Sequence, residues 1–156
     1  SNGRGVAFAE AIQGDMGGQE WADIVAGIDH LVATGVADAD RLGIGGWSYG
    51  GFMTMWAVSQ TTRFKAAVAG AGIANWQSFH GGSILHTWDT TFHRADPFAL
   101  DGPYISRAPL TYIDRIATPT LILHGDADQD VPPGQSWEFF RALKDRGIET
   151  QLVLTR

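Results

Sequence analysis

Apolar residues recur at helical spacing through Trp21, Ile24, Val25, Ile28, Leu31 and Val32, with Glu20, Asp23 and Asp29 elsewhere on the wheel, so this stretch predicts an amphipathic helix. Gly35 ends it. After a turn at Asp38 to Arg41 the period changes, and Leu42 to Trp47 is a short apolar run with small residues that reads as a buried strand. Phe52 to Gln60 predicts a buried helix and Phe64 to Ala71 a second apolar strand. Thr120 to His124, entered through Pro119, predicts a third. Pro132-Pro133 opens a helix that runs to about Arg146, because proline is tolerated in a first turn, and Gly147 closes it. Glu149 to Leu154 alternates polar with apolar and reads as a strand near a sheet edge. Gly72 to about Pro119 shows no such period; it is rich in aromatics and reads as irregular.

Strand and helix alternating in this order imply right-handed crossovers and an α/β fold, a mainly parallel sheet of about four strands with flanking helices. The 156 residues contain no repeat, low-complexity tract or linker, and suit one domain. The net charge of −6, without a Lys/Arg run, argues against a nucleic-acid surface. The absence of cysteine excludes disulfides, thiol catalysis and Cys-ligated metal. No apolar run approaches the roughly 18 residues of a membrane span, and Ser1 to Arg4 do not begin a signal peptide, so a soluble, cytoplasmic chain is expected.

The chemistry begins at the end of the first strand. Gly46-Trp47-Ser48-Tyr49-Gly50 follows it without a spacer, the Gly-x-Ser-x-Gly pattern of a nucleophile elbow. A serine on a sharp strand-to-helix turn is lifted clear of the sheet, and the flanking glycines are expected to be there because side chains would collide with the turn. The helix starting near Gly50 points amide-rich backbone at any anion formed at Ser48, and the Tyr49 N–H is the expected oxyanion donor.

His124-Gly125-Asp126-Ala127-Asp128-Gln129-Asp130-Val131-Pro132 follows another strand, where α/β sheets gather ligand groups. Asp128 is the candidate acid, expected at a strand end neighbouring that of Ser48, with its side chain about 7 to 9 Å away so that one imidazole bridges the two. Asp126 and Asp130 read at least as well as loop or helix-cap residues. His80, His86 and His93 fit no common zinc spacing, and Val131 and Trp137 stand where a calcium loop needs Gly and Glu, so no metal is expected.

The chain resembles the catalytic domain of the prolyl oligopeptidase family of serine peptidases, on the α/β-hydrolase fold. The resemblance rests on Gly14-Asp15-Met16-Gly17-Gly18, the elbow through Gly51, Ser106 to Tyr112, Thr118-Pro119-Thr120, and His124-Gly125 through Val131-Pro132. It implies peptide-bond hydrolysis through an acyl-enzyme on Ser48, with Asp128 as triad acid. It implies no cofactor, and a peptide or small acyl substrate. Trp76 and Phe79 fall where the family places aromatics of the pocket for the residue before the scissile bond. A carboxylesterase of the same fold is the alternative, since the elbow serves esters as well as amides.

The resemblance further implies a partial hydrolase domain over residues 1–156. The family's early strands, second oxyanion donor and propeller are expected before Ser1, and its histidine after Arg156. None of the five histidines occupies the family position, so weak activity is expected of this chain alone. The elbow strand, with parts of the Trp21 and Phe52 helices, is expected to present an uncovered apolar edge. A homodimer or higher oligomer through that edge is the expected consequence.

Overall fold

The computed structural model describes residues 3–156; Ser1 and Asn2, part of the expected opening loop, lie outside them. Four parallel strands, β1 (Gly43–Trp47), β2 (Ala66–Gly70), β3 (Thr120–Gly125) and β4 (Thr150–Thr155), form one sheet in chain order. The register sets Trp47 beside Gly70, Gly70 beside Leu123 and Gly125 beside Thr155, so the carboxyl ends of all four strands share one rim.

A short α1 (Val6–Glu10) precedes α2 (Gln19–Ala33), and α3 (Tyr49–Gln60) and α7 (Gly134–Asp145) make the β1–β2 and β3–β4 crossovers. Met55 and Val58 of α3 and Phe139 and Leu143 of α7 pack in one cluster with Ala67, Ala69 and Ile122, so both helices cover the same sheet face. Each of the larger of these side chains stabilises the fold by about 1.5–3 kcal/mol. The alternate residues point the other way, and Val68 among them stays 40% exposed.

Two expectations change here. The Leu42–Trp47 run is not a buried strand: β1 pairs with β2 alone, and Gly43, Gly45 and Trp47 are exposed. An apolar run with three glycines reports strand propensity and small size, not how many neighbours cover it. Nor does the Phe52 helix offer an uncovered face. Every residue from Gly51 to Ser59 is buried, because Phe52, Met53 and Trp56 pack into a second cluster with Met16, Trp76, Phe79 and Tyr104. By contrast α2 buries no residue fully; Trp21 and Ile24 touch that cluster while Leu31 remains exposed.

Residues 71–119 are not wholly irregular. They form α4 (Trp76–Gly82), α5 (Trp88–His93), α6 (Pro103–Ser106) and a 3-10 stretch at Pro109–Arg115. Asn75 caps α4, its side-chain oxygen accepting from the N–H groups of Gln77 and Ser78. Buried Gln135 of α7 ties this start to the frame, accepting from the N–H groups of Ala74 and Asn75 and donating to Ser78 Oγ.

Candidate active site

Ser48 is exposed and sits between β1 and α3 at φ 57°, ψ −117°, a backbone conformation that a residue with a side chain holds only when its surroundings impose it. The constraints are visible. Ser48 N–H donates to Gly70 O at 2.9 Å, and Ser48 O accepts from Phe52 N–H at 2.9 Å. A Cβ at position 46 would lie 2.4 Å from Gly50 O, and one at position 51 would lie 2.2 Å from Gly70 O. Position 50 meets nothing within 4 Å. The expectation that both flanking glycines are needed for space is therefore corrected: Gly46 and Gly51 permit the close approach, and Gly50 does not.

Tyr49 is the first residue of α3, so its N–H has no acceptor within the helix and stands beside Ser48. Its side chain is fixed from behind. The phenol donates to Glu20 Oε1 at 2.6 Å, and the same oxygen accepts from Gly17 N–H at 2.6 Å. Burial first, then the Glu20 contact, pushes the Tyr49 pKa well above the ordinary phenol value, so Tyr49 is a neutral donor at physiological pH. The Gly14–Gly18 loop that offers this support is itself tied down through an ion pair between Asp15 and Arg107, and Arg107 O accepts from Trp76 Nε1.

A cavity of about 160 Å³ opens at Ser48, walled by Tyr49, Ile73, Phe79, Leu85, Trp88 and Val131. Its lining is apolar apart from the serine and the tyrosine, which suits a hydrophobic side chain held next to the hydroxyl. Phe79 is one of these walls. Trp76 does not line the cavity. It is fully buried and backs the walls instead, with its ring 5.5 Å from Phe79 and 6.1 Å from Trp88. Ile73, Leu85, Trp88 and Val131 were not identified from the sequence; of these only Val131 lies in a stretch already singled out. A larger cavity, about 410 Å³, lies at the amino ends of β2, β3 and β4 beside Ala66, Pro119 and Glu149. That is the end of a parallel sheet opposite the one where ligand groups gather.

Asp128 follows β3. The strand end next to Ser48 is that of β2, so Ser48 and Asp128 are separated by two strand spacings, roughly 10 Å between strand axes, and are not at adjacent strand ends. Between them the chain runs through Gly70, Ala71 and Gly72. Ala71 is a second non-glycine residue at positive φ, 42°, held by its N–H to Leu123 O. Asp128 Oδ1 accepts from Val131 N–H at 2.9 Å, which anchors the carboxylate within its own loop. Oδ2 lies 3.7 Å from His124 Nε2, beyond hydrogen-bond range, and the side chain is 24% exposed. One oxygen is thus fixed and the other is open to a donor.

His124 is not that donor. It is fully buried, with Nε2 bonded to Val131 O at 2.8 Å and Nδ1 to Ser136 Oγ at 2.5 Å, so it shapes the loop that carries Asp128. Asp126 and Asp130 are exposed. Among the described residues no histidine lines the Ser48 cavity, no three His, Asp or Glu side chains converge as a metal would need, and no helix is long and apolar enough to cross a membrane.

The family model described as the prolyl oligopeptidase family matches residues 1–156. The chain is 43% identical over 155 residues to an uncharacterized peptidase, YuxL, of Bacillus subtilis, a match over 98% of this chain and 24% of the relative. Its fold matches the acylaminoacyl peptidase of Pyrococcus horikoshii with a TM-score of 0.93 at 33% identity, over 100% of this chain and 26% of that one. It also matches a Mycobacterium tuberculosis puromycin-hydrolyzing peptidase with a TM-score of 0.92 at 35% identity, over 99% of this chain and 24% of the other. The chain spans about a quarter of the length of these proteins. A strained serine at the end of a parallel strand, an α/β-hydrolase sheet and a family model matched along its whole length lead to one conclusion: the chain belongs to the prolyl oligopeptidase family.

Proposed function

We propose that this chain carries the nucleophile, the triad acid and the acyl pocket of a serine peptidase of acylaminoacyl type. The observation that carries the reading is Ser48, held at positive φ with its side chain at the mouth of an apolar cavity and beside a free first-turn N–H. In this mechanism Ser48 Oγ attacks the scissile carbonyl, and a histidine takes its proton. The Tyr49 N–H donates to the resulting oxyanion. Asp128 Oδ2, the carboxylate oxygen left open, accepts the histidine's other N–H and stabilises the imidazolium. The leaving amine collects the proton, and water then hydrolyses the acyl-enzyme. Phe79 and Trp88 receive the side chain of the acyl residue, which favours an apolar or aromatic group, in keeping with similarity to acylaminoacyl and puromycin-hydrolyzing peptidases.

The test is hydrolysis of N-acetyl-phenylalanine 4-nitroanilide by the intact protein. Turnover that disappears in Ser48→Ala supports the reading, and turnover that survives it refutes the reading. The 156 residues by themselves should hydrolyse it weakly, because no histidine among the described residues reaches the cavity. For this chain alone we also propose pairing of two copies across β1, whose outer backbone groups are unpaired and whose Trp47 is 59% exposed. Light scattering that finds only monomer at micromolar concentration would count against that.

A further inference from the structure

The walls of the Ser48 cavity are not held by apolar packing alone. Phe79 lies on α4 and Trp88 on α5, and each is followed in sequence by a polar residue that turns away from the cavity. Those two residues meet. Asp89 is fully buried, and its Oδ2 takes His80 Nδ1 at 2.8 Å and the Tyr104 hydroxyl of α6 at 2.7 Å. One carboxylate oxygen therefore joins three short helices that share no strand or crossover. A buried carboxylate costs several kcal/mol of desolvation unless it is well paired, which is expensive if packing alone would do the same job. Asp89 Oδ1 has no hydrogen-bond partner among the described residues.

We propose that Asp89 is a positioning residue for acyl-group selection. By fixing His80 against Asp89 it fixes Phe79 against Trp88, whose rings stand edge to face with centroids 6.3 Å apart, and so sets the width of the slot that the acyl side chain enters. Tyr104 keeps the carboxylate from turning, and its own ring sits 4.3 Å from His93, closing the cluster from beneath. Loss of the carboxylate frees α4 and α5 to part. A large aromatic side chain then loses its tight contacts, while a small one, which makes few, is hardly affected. This rests on the proposal that the cavity receives the acyl residue.

The experiment compares N-acetyl-Ala, N-acetyl-Leu and N-acetyl-Phe 4-nitroanilides on the intact protein and two variants. Asp89→Ala leaves His80 and Tyr104 without their acceptor, and should lower the Phe-over-Ala ratio of kcat/KM by about tenfold, through KM for the Phe substrate, with kcat on the Ala substrate little changed. Asp89→Asn, whose amide oxygen in the place of Oδ2 can still accept from the Tyr104 hydroxyl and from His80 Nδ1–H, should restore most of the ratio. If Asp89→Ala does not fold, Tyr104→Phe removes one of the two donors and should lower the ratio by about threefold. A uniform loss on all three substrates, or an unchanged ratio, overturns the proposal and leaves the cavity assignment standing. Failure of the unaltered protein to hydrolyse any of the three overturns the cavity assignment and this proposal with it.

Discussion

The strand-and-crossover frame and the 71–119 segment are built differently, and they contribute different things to the site. The frame is held by parallel backbone pairing and by one apolar layer of Met55, Val58, Ile122, Phe139 and Leu143. It places Ser48, the Tyr49 N–H and Asp128 on one rim. The segment has helices of four to seven residues, too short to be stable by themselves, and is held by aromatic contacts and by buried polar groups such as Asp89 and Gln135. It provides Phe79 and Trp88. On the proposed reading, chemistry belongs to the frame and selectivity to the segment, whose geometry a few buried polar contacts help to set.

That division predicts where changes will act. Ser48→Ala and Asp128→Asn, both in the frame, should each lower kcat on every substrate by roughly a thousandfold or more, with little change in the thermal midpoint. Equal loss across substrates is the mark of frame residues, and a substrate-dependent loss from Asp128→Asn would blur the division.

Gly51→Ala should destabilise the frame by about 3 kcal/mol or prevent folding, because the new Cβ meets the backbone of β2 and cannot push aside a flexible side chain. Urea unfolding of the variant beside the parent measures it.

In the segment, pH is the sharper tool. Burial pushes the His93 pKa down from 6.5 to about 4, against the pull of Asp89 and with the help of Arg107. The folded value lies below the unfolded one, so the unfolded chain binds more protons on acidification. The contribution is whole above about pH 6.5 and is lost as pH falls toward about 4, to the order of 3 kcal/mol. His93→Phe should remove that part of the acid sensitivity between about pH 7 and about pH 4.5, seen as a smaller fall in the urea midpoint. An undiminished fall would place the acid sensitivity elsewhere.

The smallest expected effect is that of Gly50→Ala. With open space at the Cβ and a helical backbone, it should stabilise by about 0.5–1 kcal/mol and leave activity in place. Read together with Gly51→Ala, it separates the glycines the turn needs from the one it does not.

What was legible in the sequence follows the same line. The frame announces itself locally, since the strands are apolar runs, the helices have a period, and the elbow is five consecutive residues. The loop of Asp126, Asp128 and Asp130 stands out because it follows a strand directly, and the family resemblance singles out Asp128 within it. Strand order is not local, and so the β2 end between Ser48 and Asp128 was missed. The one-sided pairing of β1 does not show in its own residues, since a run of glycine and apolar residues looks the same whether one face or two are covered; the expectation of an uncovered edge rests on the family resemblance alone. In the segment, Trp76 and Phe79 are three apart on one helix and point the same way, and nothing in their spacing says which is deeper. Trp88 and Leu85 reach the cavity only through the folding of α5 onto α4. The Asp89 contact that permits it joins residues nine and fifteen apart with no motif to mark them.

The central claim, that Ser48 is the nucleophile of this site, is tested most directly by covalent trapping. The intact protein would be treated with the diphenyl phosphonate analogue of N-acetyl-phenylalanine and digested, and the adduct located by mass spectrometry. The account predicts a single phosphonyl adduct on Ser48, forming in step with loss of hydrolysis and absent from Ser48→Ala. An adduct on another residue, or inactivation that proceeds unchanged in Ser48→Ala, would contradict it.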